Sequence, residues 1–403
     1  MPKISKILLL VVSVVLVLTV FLGVNSSGVS AASDQGGAYN QINVYTEVLQ
    51  HIQSDYVVVP DINTVTNGAM RGLLESLDAD SSYLTPAEYK TYKTEKAGKA
   101  QVGINVSKRF GYATIVSVVP GSPADKINLN DGDIIEAIGG QDTRNISLAM
   151  IRMMLDGAPG SELTISVVRP RKAAPDKLTL TRELISYPPV SETMYENSSI
   201  LYLKPDTLDH EHVQQIEQKL KGMQKAGNKK ILLDLRDVAG GDMPDAMRLA
   251  NFLLPSGTIA SLEGQKVAKQ TFAVDPSKTI NATAPVVVLV NRGTAGPAEL
   301  VAAALNDNKR AELVGERTFG EGAQQKTFEL PDGGAVILTV AKYESPSGKR
   351  LQDDAVMPEV LVASNIPDED EDEASTTKPN QKPAVTVDDQ LTKALDVLKN
   401  KTA

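Results

Sequence analysis

Apolar residues fall along this chain in three successive patterns. A continuous apolar run occupies 7–24, and helical spacing follows it. Ile42, Tyr45, Val48, Leu49 and Ile52 recur on one face of 39–56, and Val65, Ala69, Leu73 and Leu74 do so over 62–77. These spacings predict two amphipathic helices. Thr85, Pro86 and Glu88 read as the capped start of a third. The second pattern is short β-type runs at 102–106, 113–118, 134–138 and 163–168, with one helix at 148–155. From 200 onward strands at 200–203, 231–235, 286–290 and 311–314 alternate with helices at 210–223, 243–254 and from Pro297. Such alternation predicts an α/β layered core. A strand at 335–343 and a helix at 389–398 complete the reading.

Composition narrows this picture. The 403 residues suit two to three domains, and 42% hydrophobic residues suffice for a sizeable core. A net charge of −9 gives no electrostatic footprint for nucleic acid. The chain has no cysteine, so disulfide and thiol chemistry are excluded. Lys3 and Lys6 flank the 7–24 run, and small residues up to Ala31 and Ala32 follow it, as in an export signal. Its 18 residues also suffice for a membrane anchor. An unbroken acidic run, Asp368 to Glu373, opens a Ser/Thr/Pro/Lys-rich stretch that reads as a disordered linker.

The chemistry concentrates in 286–325. An apolar β-branched run, Val286 to Val290, feeds a glycine-marked turn at 291–296, and Pro297 opens a helix. A second glycine turn, Gly320-Glu321-Gly322, follows. A strand that turns sharply into a helix N-terminus offers amide donors and a positive dipole end to a developing oxyanion. This stretch resembles the carboxyl-terminal processing peptidases, the S41 family of serine peptidases with a PDZ domain. The frame Asn291, Gly293, Ala295, Glu299, Asp307, Thr318-Phe319-Gly320, Gly322 and Gln325 carries the resemblance. In that family a serine nucleophile is followed 25 positions later by a lysine base. Here those positions hold Gly296 and Glu321. Pro297 stands where the family uses a backbone N–H as an oxyanion donor, and proline has none. The turn Arg236-Asp237-Val238-Ala239-Gly240-Gly241 is similar to the family's second oxyanion loop and keeps its two glycines.

The resemblance implies a crotonase-like S41 peptidase core with an inserted PDZ domain and an N-terminal helical arm. The expected organisation is 1–32 export signal or anchor, 33–98 helical region, 99–185 PDZ domain, 186–366 core, 367–386 linker and 387–403 C-terminal helix. The stretch from Val118 to Gly140 is similar to a PDZ motif, and Lys172 to Asp176 reads as a loop late in that domain. PDZ domains take up a peptide as an added strand and hold its terminal carboxylate on backbone amides. The matching loop and strand are Gln101, Val102, Gly103, Ile104, Asn105 and Val106. Leu148 and Ile151 stand on the helix expected to wall the groove.

These residues point to a pseudopeptidase that is exported to a periplasmic, extracellular or membrane-anchored location. It would bind protein C-termini or unfolded polypeptide, or regulate an active peptidase relative, with no cofactor or metal. Two other readings stay open. One is displaced catalysis by Thr294 with Lys326, or an acid/base role for Glu299 and Glu321. The other is a scaffold subunit, including a homo-oligomer, built through the helical arm and C-terminal helix. His51 and the His210/His212 pair read as exposed helix positions without a third metal ligand.

Overall fold

A computed structural model describes residues 32–94, 100–109, 111–169, 174–364 and 388–401. The expected export signal or anchor up to residue 31, the expected acidic linker and residues 172–173 of the expected loop lie outside them. The chain divides into two compact units, Met1–Ala69 and Met70–Ala403.

The helix Ala32–Asp55 belongs to the first unit, and a second helix, Ile62–Glu75, capped at its start by Asp61, begins there and continues past residue 69. The Asp61 carboxylate accepts from the Asn63 amide at 3.0 Å and the Thr64 hydroxyl at 2.6 Å. The apolar face expected over 39–56 is present but not buried: Ile42 is 57% and Val48 52% exposed. His51 is exposed and bonds Asp55 one turn on.

Three larger sheets organise the described residues of the second unit, beside a two-stranded one of Thr207–Leu208 and Gly240–Gly241. The first is antiparallel, in the order Ile104–Arg109, Tyr112–Val118, Ile134–Ile138, Glu162–Val168, Asp176–Thr181. In Glu162–Val168 alternate residues Leu163, Ile165 and Val167 are buried, the period of a half-buried strand. The helix Leu148–Leu155, capped by Ser147, packs on that core through Leu148, Ile151 and Leu155. Ile104–Arg109 is an edge strand.

The second sheet runs Val360–Leu361, Ala311–Gly315, Val286–Val290, Lys230–Asp234, Ile200–Lys204, Ser191–Tyr195. All neighbours are parallel except the last pair. Every residue of Val286–Val290 is buried because both faces are covered. Val286, Val288 and Val290 pack with the helices His210–Ala226, Met243–Leu253 and Pro297–Asp307. Val287 and Leu289 face Ala394 and Leu398 of the helix Asp389–Lys399. Arg236 ties that helix down, bonding the buried Asp234 at 2.6 Å and Asp388 at 2.9 Å.

The third sheet is built on the long strand Ala335–Glu344 and includes Thr258–Glu263, Gln270–Ala273, Ala323–Glu329 and Ser82–Leu84. The sequence reading placed no strand at Ser82–Leu84. Ser82 pairs with Ile337, so a distant strand sets its conformation. His212 also departs from expectation. It is buried, with Nδ1 2.7 Å from Asp209 and Nε2 3.0 Å from the Pro188 carbonyl, because its ring lies under the chain entering the core. His210 is exposed and bonds Arg248.

Candidate functional site

The elbow begins where Val286–Val290 leaves the sheet. Asn291 and Thr294 fold the turn back on the neighbouring strand end. The Asn291 side chain accepts from the amides of Asp237 and Gly293 at 3.0 and 3.1 Å and donates to Asp237 Oδ1 at 2.7 Å. Thr294 Oγ1 accepts from the Asn291 amide at 3.0 Å and donates to the Leu235 carbonyl at 2.8 Å. Gly296 then adopts φ 55°, ψ −112°, a strained region for any L-residue, and Pro297 starts the helix. A strained strand-to-helix turn of this kind presents the nucleophile in α/β-hydrolases. A Cβ placed on Gly296 meets no heavy atom within 4 Å, so a small side chain has room.

The elbow's amides are already engaged. Ala295 donates to the Val238 carbonyl at 3.0 Å, Gly296 to Glu299 Oε2 at 3.0 Å and Ala298 to the Ala295 carbonyl at 3.2 Å. Pro297 contributes no donor. Opposite, Gly240–Gly241 pairs with Thr207–Leu208. A Cβ on Gly241 would lie 2.4 Å from the Leu208 carbonyl carbon, so the chain passes there only as glycine.

Glu299 joins the two family turns. It is fully buried and accepts from the Gly296 amide, the Thr318 hydroxyl, the Gly320 amide at 2.8 Å and the Glu321 amide at 2.7 Å. Burial pushes its carboxyl up to about 7 against these donors. Its role is to hold the Gly320–Glu321 turn against the elbow. Burial also raises the Glu321 carboxyl, with Arg152 opposing and Asp80 adding to the rise.

The Glu321 side chain faces the PDZ groove. A cavity of about 270 Å³ is lined by the predicted residues Gln101, Val102, Gly103, Ile104, Asn105 and Val106, and it reaches across to Ala239 and Glu321. Leu148 and Ile151 do not line it. Both are buried in the PDZ core, and the next helical positions, Arg152 and Leu155, form the wall. Arg152 donates from Nη2 to the Val106 carbonyl at 3.2 Å and to Glu321 Oε1 at 3.3 Å, with Asp80 at 3.7 Å. Gln352 braces this corner by donating to Asp80 at 3.0 Å and accepting from the Gly322 amide at 2.8 Å.

Other expected residues lie elsewhere. Gln325 is exposed on the strand Ala323–Glu329, just past a register shift. The displaced pair is not formed. Thr294 is fully buried on a backbone carbonyl, whereas Lys326 is exposed with Nζ 5.3 Å from the Phe328 ring. The sequence reading missed Thr318, Asp80 and Arg152. Thr318 stood inside a quoted motif, but nothing local marks Arg152, whose partner lies 169 residues away.

Comparison with known proteins fits this geometry. A profile of peptidase family S41 matches residues 199–362, and a PDZ domain profile matches 114–169. The carboxyl-terminal-processing protease of Picosynechococcus sp. is 35% identical over 301 residues, spanning 73% of this chain and 72% of that one. Carboxyl-terminal-processing peptidase 2, chloroplastic, of Arabidopsis thaliana is 30% identical over 75% of this chain, which spans 61% of its length. A solved photosystem II D1 C-terminal processing protease superposes with a TM-score of 0.66 at 25% identity, over 79% of this chain and 92% of the other. The chain belongs to peptidase family S41, as a PDZ-containing homologue of the carboxyl-terminal-processing proteases.

Proposed function

We propose that this chain is an exported S41 homologue that does not cleave peptide bonds. It engages protein C-termini or unfolded segments through its PDZ groove, alone or for an active peptidase relative. The observation that carries the reading is the elbow. Position 296 has the strained backbone and the open space of a nucleophile site but no side chain, and the next residue lacks the amide an oxyanion needs. Glu321 at the base position is spent on Arg152. The basic flank and apolar run at 7–24 support export.

The test is degradation of a disordered substrate by the purified protein and by Gly296→Ser with Glu321→Lys. Silence from the unaltered protein is expected. Clean cleavage by it, or its labelling with a serine-directed probe, would end this reading. The exposed apolar face of Ala32–Asp55 supports a second reading, a scaffold subunit. Ile104→Trp, which fills the groove, abolishes partner recovery under the first reading and spares it under the second.

A further inference from the structure

Ile104–Arg109 is the edge strand of the PDZ sheet, so its outward backbone groups are the ones a peptide strand would pair with. One of them, the Val106 carbonyl, accepts from the Arg152 guanidinium, with Nη2 at 3.2 Å and Nε at 3.4 Å. Arg152 comes from the opposite wall, the helix Leu148–Leu155, so its side chain spans the groove. Its far end rests on Glu321, and Asp80 lies 3.7 Å from the same nitrogen. A peptide whose carboxylate sits at Gln101–Gly103 needs the Val106 carbonyl for its own main chain. Side chains on an added strand alternate. Val106 lies two positions beyond Ile104, so the side chain meeting Arg152 is that of the third residue from the peptide's end.

We propose that Arg152 is the selector of this groove, and that it favours C-termini bearing a carboxylate side chain at the third position from the end. Such a side chain replaces Glu321 as the partner of the guanidinium while the peptide backbone takes over the Val106 carbonyl. A neutral side chain offers nothing in exchange, so the peptide must break the Arg152 contacts uncompensated. A basic one adds repulsion. The inference rests on the PDZ groove binding peptide C-termini.

The experiment is fluorescence anisotropy with labelled peptides that end in an apolar residue and carry Glu, Gln or Lys third from the end, plus an amidated Glu peptide. The proteins are the unaltered chain, Arg152→Gln and Glu321→Gln. A hydrogen bond to a charged partner is worth about 1.5–3 kcal/mol, so the Glu peptide should bind the unaltered chain about tenfold or more tighter than its Gln isostere. Arg152→Gln should erase that preference. Glu321→Gln, which keeps the arginine, should tighten the Gln peptide and narrow the gap. Binding that needs the free terminal carboxylate but ignores the Glu/Gln difference overturns the selector role and leaves the groove reading standing. Equal binding of the amidated peptide, or none of any peptide, overturns both.

Discussion

Pro297 offers the sharpest quantitative test of the elbow. In the double revertant Gly296→Ser with Glu321→Lys, the serine Cβ has free space, and its cost is the φ 55°, ψ −112° backbone, about 1–3 kcal/mol of strain. The oxyanion is a separate matter. The amides of 295, 296 and 298 are committed to Val238, Glu299 and Ala295, so the elbow has no donor to spare. Adding Pro297→Ala supplies one amide at the first helical position. A single oxyanion donor is worth about 10²–10³ in rate, about 3–4 kcal/mol of barrier. The triple variant should therefore exceed the double by at least about 10² in kcat on a disordered substrate. Losing proline costs only about 0.4–1 kcal/mol of stability, so folding does not mask the comparison. If cleavage is slow, the rate of labelling by a fluorophosphonate probe reads the same hole. Equal rates in the double and triple variants would refute the assignment of Pro297 as the missing donor.

Two further predictions concern stability. Gly241→Ala should destabilise severely, because its φ of 115° and a Leu208 backbone atom 2.4 Å from the new Cβ both oppose it, whereas Gly296→Ala should cost only its strain, about 1–3 kcal/mol; urea unfolding followed by circular dichroism separates them, the chain having no tryptophan. Glu299 should make stability fall as pH rises. Its folded carboxyl sits near 7 against an ordinary 4.5, so the native state holds an extra proton between those values, and up to about 3 kcal/mol present below pH 4.5 is lost by about pH 7. Glu299→Gln should lack that slope in the same unfolding assay, and an unchanged slope would assign the titration elsewhere.

Much of the scaffold was legible because its signals are local. The uninterrupted β-branched Val286–Val290 run read as a strand, and the resemblance to the S41 frame placed Gly296, Glu299 and Glu321 at the elbow and its partner turn. What stayed hidden depends on distant pairing. Ser82–Leu84 is extended because of Ile337, and His212 is buried because Pro188 and Asp209 close over it. The groove wall was read one turn too early on its helix: Leu148 and Ile151 serve the core, and Arg152 and Leu155 line the cavity. Thr294 looked like a spare hydroxyl, yet its buried bonds to Leu235 and Asn291 make it part of the turn's framework.

The room beside Gly296 has a bearing on descent. Glycine and serine codons, like those of glutamate and lysine, differ by a single base, as do proline and alanine. A glycine holds φ 55° at no steric cost, so the elbow conformation needs no side chain at 296 to maintain it. No filled cavity bars the way back. On the proposed reading, what separates this chain from a cleaving relative is a hydroxyl at 296, an amine at 321 and one amide at 297, a short mutational path whose first step, serine at 296, is unrewarded until the other positions also change.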